Sequence, residues 1–375
     1  PKRLTGSFDR SVNEVTWASD GQSLLISSHD RGRGKVARLN MDGDREVLVE
    51  DLGGTSLGRP YGGGSFSAAG GAVAFTHTAP HHPANVGLVD GDGMRRLTRL
   101  NRDLLGTKTL GQVESIEYQS SVDDREIQGW IIKPPNFDPD KDYPLLLEIH
   151  GGPFADYGPR FAAELQLYAA AGYVVLYTNP RGSSSYGEAF GNLIHHAYPG
   201  DDFHDLMSGV DAVIDRGYID ADQLYITGGS GGGVLSAWAV GHTDRFRAAA
   251  VQKPVINWYS FALTADNYTY YHRYWFEALP WENPESYLDR SPISYVGNVT
   301  TPTMLITGES DYRTPISETE QFYQALRIRK VPSAMVRLPG ASHGIAGRPS
   351  QLIGKVQHIL GWFERYDNEQ DESDS

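Results

Sequence analysis

The sequence predicts an α/β chain, a mostly parallel, doubly wound sheet preceded by a small all-β region. Two observations predict it. From about residue 112 onward, short apolar runs alternate with segments of helical periodicity. Near-continuous apolar strands between helices are what a parallel sheet covered on both faces requires. Before that point, short strands and turns follow one another and repeat with a period of 50 residues.

The repeat is read in residues 1–111. "WASDGQSLLISS" starts at Trp17 and "FSAAGGAVAFTHT" at Phe66; Asp20-Gly21 aligns with Gly70-Gly71, and Asp42-Gly43 with Asp92-Gly93. That period fits a β-propeller blade of four strands. A closed propeller takes about 4–8 blades, whereas this region holds about two. It is therefore expected to be a partial propeller or a small open β unit.

Residues 112–366 are expected to form the α/β domain. "VESIEYQSS" and "IQGWIIKPP" read as an antiparallel pair. "YPLLLEIHGG", "GYVVLYTNPRG", "QLYITGGS", "FRAAAVQKP", "TPTMLITGESD" and "SAMVRLPGASHG" read as further strands. Leu206, Met207, Val210, Val213 and Ile214 are spaced for a helix, as are Leu352, Ile353, Val356, Ile359, Leu360 and Phe363. "DNEQDESDS", residues 367–375, carries five acids and no base and reads as a solvated, disordered tail.

Composition narrows the function. The 375 residues are 39% hydrophobic, enough for a real core. Lys and Arg number 33 against 47 Asp and Glu, and the resulting net charge of −14 argues against a nucleic-acid partner. With no cysteine, disulfides, thiolate catalysis and zinc–thiolate sites are excluded. No apolar run reaches the ~18 residues of a membrane span. The opening "PKRLTG", without Met or signal peptide, predicts a natural N-terminus further upstream. It leaves localisation, bacterial cytoplasm or periplasm, undetermined.

The chemistry begins at "LYITGGSGGGVLSAWAV", residues 224–240. Gly228 to Gly232 reads G-x-S-x-G between an expected strand and an expected helix, the nucleophile elbow of the α/β-hydrolase fold. Ser230 is the expected nucleophile. Gly228 and Gly232 are expected to be glycine because a Cβ there would collide with the neighbouring strand or helix. "GTSLG", Gly54 to Gly58, matches the same pattern but follows no strand and runs into "RPYGGG", which cannot start a helix. A phosphate loop is excluded by the missing Lys-Ser/Thr ending.

A serine needs a base and an orienting acid, in this fold in the order Ser, Asp or Glu, His. His343, in the Gly-rich "PGASHGI" after a strand, is the expected base; His358 falls on the last helix. Asp311 directly follows the strand "TPTMLITGES" and is the expected acid, with Glu309 as fallback. The oxyanion needs two N–H donors. Gly231, after the nucleophile, supplies one, and Gly152 in "EIHGGPF" the other.

These residues resemble the prolyl oligopeptidase family. "HGGP" at 150–153, "NPRGSSSYG" at 179–187, "GGSGGG" at 228–233, "GESDYRTP" at 308–315 and "ASHG" at 341–344 come in its order and spacing. The resemblance covers about 115–366 and points to the acylaminoacyl-peptidase and dipeptidyl-peptidase-like bacterial branch. It implies a C-terminal α/β-hydrolase domain, an N-terminal propeller that restricts access, and the same Ser230, Asp311 and His343. It also implies that His150, counted among the substrate-binding positions, stands where some members place an oxyanion-donating Tyr, a His there otherwise only bracing the loop, and that Phe154, Val255, Trp258, Arg313 and Thr314 shape the specificity pocket. Two departures matter. Gly231 replaces the Tyr that many members carry, which implies a roomier pocket and a more flexible elbow. Most of the propeller is absent, which favours acyl-blocked or hydrophobic substrates over strict dipeptidyl cleavage.

The expected function is hydrolysis of short peptides, N-acylated ones included, through an acyl-enzyme, with no cofactor and no metal. The alternative is a carboxylesterase using the same triad. "IHHAYPGDDFHD", residues 194–205, gathers three His and three Asp without a clear ligand spacing, and its acids suit a helix N-terminus. The aromatic segment 257–281 reads equally as core and as a hydrophobic wall over the site. Uncovered blade edges predict a homo-oligomer or a missing companion segment.

Overall fold

A computed structural model describes residues 2–367. Two eight-stranded sheets make up its framework. The first holds β1 (Val12–Trp17), β2 (Ser23–Asp30), β3 (Arg33–Asn40), β4 (Arg45–Leu52), β5 (Phe66–Ala69), β6 (Ala72–Ala79), β7 (His82–Asp90) and β8 (Gly93–Arg96). Every pairing is antiparallel, in the order β1-β2-β3-β4-β6-β7-β8 with β5 beside β6. The two four-stranded units meet at a single bridge, Leu52 to His77. The repeated dipeptides occupy equivalent hairpin turns, so the 50-residue period is the period of these units. Leu25, Val36, Val49, Phe66, Val73 and Phe75 form their shared core.

After the short α1 (Arg102–Leu105) come β9 (Gln112–Gln119), β10 (Glu126–Lys133), β11 (Tyr143–Ile149), α2 (Ala163–Ala170), β12 (Val174–Asn179), α3 (Glu188–Gly191), α4 (Asp202–Ile214), β13 (Ile219–Gly229) and α5 (Gly231–His242). Then follow β14 (Ala248–Gln252), α6 (Trp258–Thr264), α7 (Tyr268–Tyr274), α8 (Pro284–Asp289), β15 (Thr303–Gly308), α9 (Ile316–Ile328), β16 (Ser333–Leu338) and α10 (Pro349–Asp367). The second sheet runs β16-β15-β14-β13-β11-β12-β10-β9. From β16 to β12 it is parallel, and β10 and β9 add an antiparallel edge. This is the α/β-hydrolase architecture.

Alternation along the strands splits the core in two. On β13, Leu224 and Ile226 face the helices α4, α5 and α9 through Leu206, Val234 and Phe322. Tyr225 faces α2 and α10 through Leu165, Val356 and Phe363. The second half of this central strand, Leu224–Gly229, is buried on both faces, which suits the apolar run Leu224, Tyr225 and Ile226. α10 runs through Asp367, whose carboxylate accepts hydrogen bonds from the Tyr225 and Tyr173 hydroxyls. The rest of the acidic tail lies outside the described residues. Among the described residues, no helix is long and apolar enough to cross a membrane.

Candidate active site

β13 ends at Gly229 and α5 begins at Gly231, so a single residue makes the turn. That residue, Ser230, has φ 61° and ψ −118°, a conformation non-glycine residues adopt only under constraint. Close approach on either side supplies the constraint. A Cβ built on Gly228 would come 2.5 Å from the Gly232 carbonyl oxygen, and one on Gly232 would come 2.1 Å from that of Ile149. The Ser230 N–H is tied to the Gln252 carbonyl at 3.1 Å. The twelve-residue α5 directs its N-terminal N–H groups and positive dipole end toward the serine.

Asp311 sits in the loop after β15, with its side chain buried. Its carboxylate accepts from the N–H groups of Arg313 (3.0 Å) and Thr314 (2.9 Å) and from the Thr314 hydroxyl (3.0 Å). His343, in the loop after β16, places Nδ1 2.8 and 3.0 Å from the two carboxylate oxygens. Burial alone would raise the Asp311 pKa. The hydrogen bond and charge of His343 and the Thr314 donors outweigh it and hold the carboxyl below its usual range. For His343, burial and the nearby Lys253 and Arg313 charges push the pKa down against the pull of Asp311. The imidazole is therefore neutral at pH 7. Facing an acceptor-only carboxylate, Nδ1 carries the proton, which leaves the Nε2 lone pair free to take another.

Ser230 and His343 line one cavity of about 280 Å³, together with Gly152 and Gly231. A Cβ on Gly231 would lie 3.1 Å from the Gly152 nitrogen, so the two backbone donors stand close together. Phe154, Val255, Trp258, Arg313 and Thr314 also line it. Arg313 binds Asp266 at 2.6 Å, joining the acid loop to the aromatic segment.

Two expectations need correction. His150 does not line the cavity. It is buried, with Nδ1 2.7 Å from the Gly151 carbonyl and Nε2 2.9 Å from the Ser183 hydroxyl. Both ring nitrogens are thus used in bracing the loop. The space expected at Gly231 is also not free. The Tyr198 hydroxyl donates to the Gly231 carbonyl at 2.9 Å and would lie 3.0 Å from a Cβ there.

Tyr198 lies within the 194–205 cluster, among its acids and histidines. Among the described residues, no group of three His, Cys, Asp or Glu side chains is placed to hold a metal ion. Asp205 instead forks onto Arg181 of "NPRG" at 2.8 and 2.9 Å. The aromatic segment does both things expected of it. Phe276 stacks on Tyr287 in the core at 3.6 Å, while Tyr270, Tyr271 and Trp275 line the cavity and Trp275 stacks on Phe154 at 5.2 Å. Glu309 points to Arg337 instead of His343, and His358 is exposed on α10.

The prolyl oligopeptidase family model matches residues 159–370. YuxL, an uncharacterized peptidase of Bacillus subtilis, is 35% identical over 356 residues, which cover 93% of this chain and 53% of that one. Dipeptidyl-peptidase 5 of Aspergillus oryzae is 27% identical over 370 residues, covering 97% and 50%. The acylaminoacyl peptidase structure of Pyrococcus horikoshii superposes with a TM-score of 0.87 at 26% identity, covering 97% of this chain and 57% of that one. The same score, identity and coverage hold for an acylaminoacyl peptidase in complex with Z-Gly-Gly-Phe-chloromethyl ketone. The chain spans about half the length of the curated relatives it matches. A family model that covers more than half of the chain, together with a relative of this identity along nearly all of it, makes the assignment plain: the chain belongs to the prolyl oligopeptidase family.

Proposed function

We propose that the chain carries the catalytic machinery of a serine peptidase acting on short peptides, N-acylated ones included, with Ser230 as nucleophile, His343 as base and Asp311 as orienting acid. One observation carries this reading. Ser230, held in a strained turn, shares a cavity with an imidazole whose far nitrogen is fixed on a buried carboxylate.

The Ser230 oxygen attacks the scissile carbonyl carbon while its proton passes to His343 Nε2. The carbonyl electrons move onto oxygen, which the Gly152 and Gly231 N–H groups receive. Collapse expels the amine, which takes the proton from His343, and water then repeats the sequence on the acyl-enzyme. Phe154, Trp258, Tyr271 and Trp275 in the wall favour a bulky apolar residue on the acyl side of the bond. The relative complexed with a peptide ending in Phe supports that preference.

The test compares kcat/KM for an acetyl-Phe anilide, a free-amino dipeptide anilide and a short-chain aryl ester, with Ser230→Ala as control. Anilide turnover within about ten-fold of the ester, abolished in the variant, is expected. Ester turnover without anilide cleavage would overturn the peptidase reading in favour of a carboxylesterase.

A further inference from the structure

The glycine-rich segment that joins the two β units, residues 53–65, leaves the first sheet and lies along the catalytic domain. Tyr61 forms an antiparallel bridge with Tyr157. Backbone bonds continue on both sides of it. The N–H of Gly62 reaches the Asp156 carbonyl at 3.0 Å, that of Gly158 reaches Pro60 at 3.1 Å, and that of Glu164 reaches Gly58 at 2.9 Å. The segment is thus stitched to the stretch that follows "HGGP".

Two of its side chains enter the site's foundations. The Tyr61 hydroxyl accepts the Gly151 N–H at 2.6 Å, and its ring packs edge-on against Tyr157 with centroids 4.8 Å apart. Gly151 is adjacent to the reacting groups: a Cβ there would lie 3.2 Å from the Ser230 Cβ and 2.8 Å from the Gly229 carbonyl oxygen. Arg59 is buried and pairs with two buried carboxylates, Glu148 at 2.9 Å and Glu164 at 3.3 Å. Glu164 has a second cation, Lys355, at 2.5 Å. Among the described residues, Glu148 has Arg59 alone within ion-pair distance, and it stands on β11 two residues before His150. The guanidinium also lies against Gly229, where a Cβ would meet it at 2.8 Å.

We propose that this inter-unit segment is a working part of the active site, with Tyr61 a positioning residue that sets the oxyanion loop. The inference rests on the Ser230 site assigned above. The Gly151 N–H is one residue from the Gly152 donor. Its acceptor fixes the peptide planes through which Gly152 is aimed, and donors of this kind act only when preorganised. Arg59 holds the strand that feeds the same loop through its ion pair with Glu148. In this arrangement the β region supplies part of the catalytic geometry.

Tyr61→Phe in the full chain is the test, because the ring remains and only the acceptor is lost. Rates are taken per site titrated with a fluorophosphonate. The expected result is a fall in kcat of about ten-fold with KM within about two-fold, and a parallel weakening of a peptidyl trifluoromethyl ketone, which mimics the tetrahedral adduct. Arg59→Met is expected to lower kcat in the same sense. Unchanged kcat and ketone affinity in Tyr61→Phe, whatever happens to thermal stability, would overturn the proposal and leave a purely structural contact. Ser230→Ala on the same substrate separates the two readings. If it keeps full turnover, the site assignment fails and this inference with it. If it is inactive while Tyr61→Phe matches the wild type, only the inference falls.

Discussion

The Lys253 ammonium donates to the backbone carbonyl of His343 at 2.7 Å, across 90 residues of sequence. Lys253 follows β14 and lies half-buried beside the cations Arg59 and Lys355, with the acids Asp311 and Glu164 as weaker counterweights. Burial and the two cations push its pKa down to about 7. It therefore holds a charge near the base at acidic pH and sheds it near neutrality.

This relationship predicts the pH profile. With His343 as the base proposed above, attack needs its neutral form, and activity is expected to fall as pH drops through its pKa, which lies below the ordinary 6.5. Lys253 is protonated in that range and lowers it; Asp311 raises it and Arg313 lowers it further. In Lys253→Met one of the two cations is gone, so the acid limb of kcat/KM moves upward, by about 0.5–1 pH unit. A limb that stays in place, or moves to lower pH, would show that the lysine does not act on the imidazole.

Asp311→Asn tests the tautomer. The amide preserves the shape of the carboxylate but can turn an N–H toward Nδ1, which then accepts and leaves Nε2 protonated. A fall in kcat of about 10⁴ is expected, with the melting temperature within a few degrees of the wild type. A loss below about ten-fold would remove Asp311 from the mechanism.

The elbow was readable because its signal is local. Gly228, Ser230 and Gly232 lie within five residues, and the close approaches that demand glycine are set by the strand and helix they join. The pairing of Asp311 with His343 was readable because each lies in the loop that follows a strand, in the order this fold expects. The 50-residue repeat was readable because hairpin turns need particular residues at fixed places. Lys253, Tyr61 and Tyr198 were not, because what defines them is a partner brought close by tertiary packing. Tyr61 meets Gly151, and Lys253 meets His343, each across a sequence separation of 90 that only folding closes. His150 was misplaced for a related reason: its position follows a family pattern, but its ring nitrogens are claimed by Gly151 and Ser183.

Gly231 and Tyr198 should be energetically coupled. Gly231→Ala puts a methyl 3.0 Å from the Tyr198 hydroxyl and 3.1 Å from the Gly152 nitrogen. The hydroxyl can yield, whereas the backbone yields only by displacing the oxyanion loop. Gly231→Ala is expected to lose about ten-fold or more in kcat, and Tyr198→Phe in the same chain to restore part of it. A double-mutant cycle with strictly additive effects would refute the coupling.

Asp205 is predicted to matter for folding more than for chemistry. Its carboxylate makes two charge-assisted bonds to the Arg181 side chain and a third to the Arg181 N–H at 2.8 Å. Both side chains are buried, while the other acids near Arg181, Asp123 and Asp201, are partly exposed. Asp205→Ala leaves a buried guanidinium with weaker partners, and a loss of about 3–5 kcal/mol is expected in urea unfolding. A change under about 1 kcal/mol would mean that Asp123 and Asp201 replace it fully.

The first sheet carries the last prediction, which concerns association. β1 is its edge strand, and all six of its residues are exposed, Val15 and Trp17 among them at 58% and 59%. At the other edge, β8 exposes Met94, and Leu97 and Leu100 beyond it are exposed as well. An edge presents unpaired N–H and C=O groups, and apolar side chains beside them favour pairing with another chain. In solution the chain is expected to associate through these edges unless a companion segment covers them. Light scattering of the 375-residue chain should give a mass above one copy, and Val15→Lys with Trp17→Lys should return it toward one, because edge charges oppose strand addition. A single-copy mass for the unmodified chain at tens of micromolar would show that these edges are not adhesive by themselves. Association that survives both lysines would place the contact elsewhere.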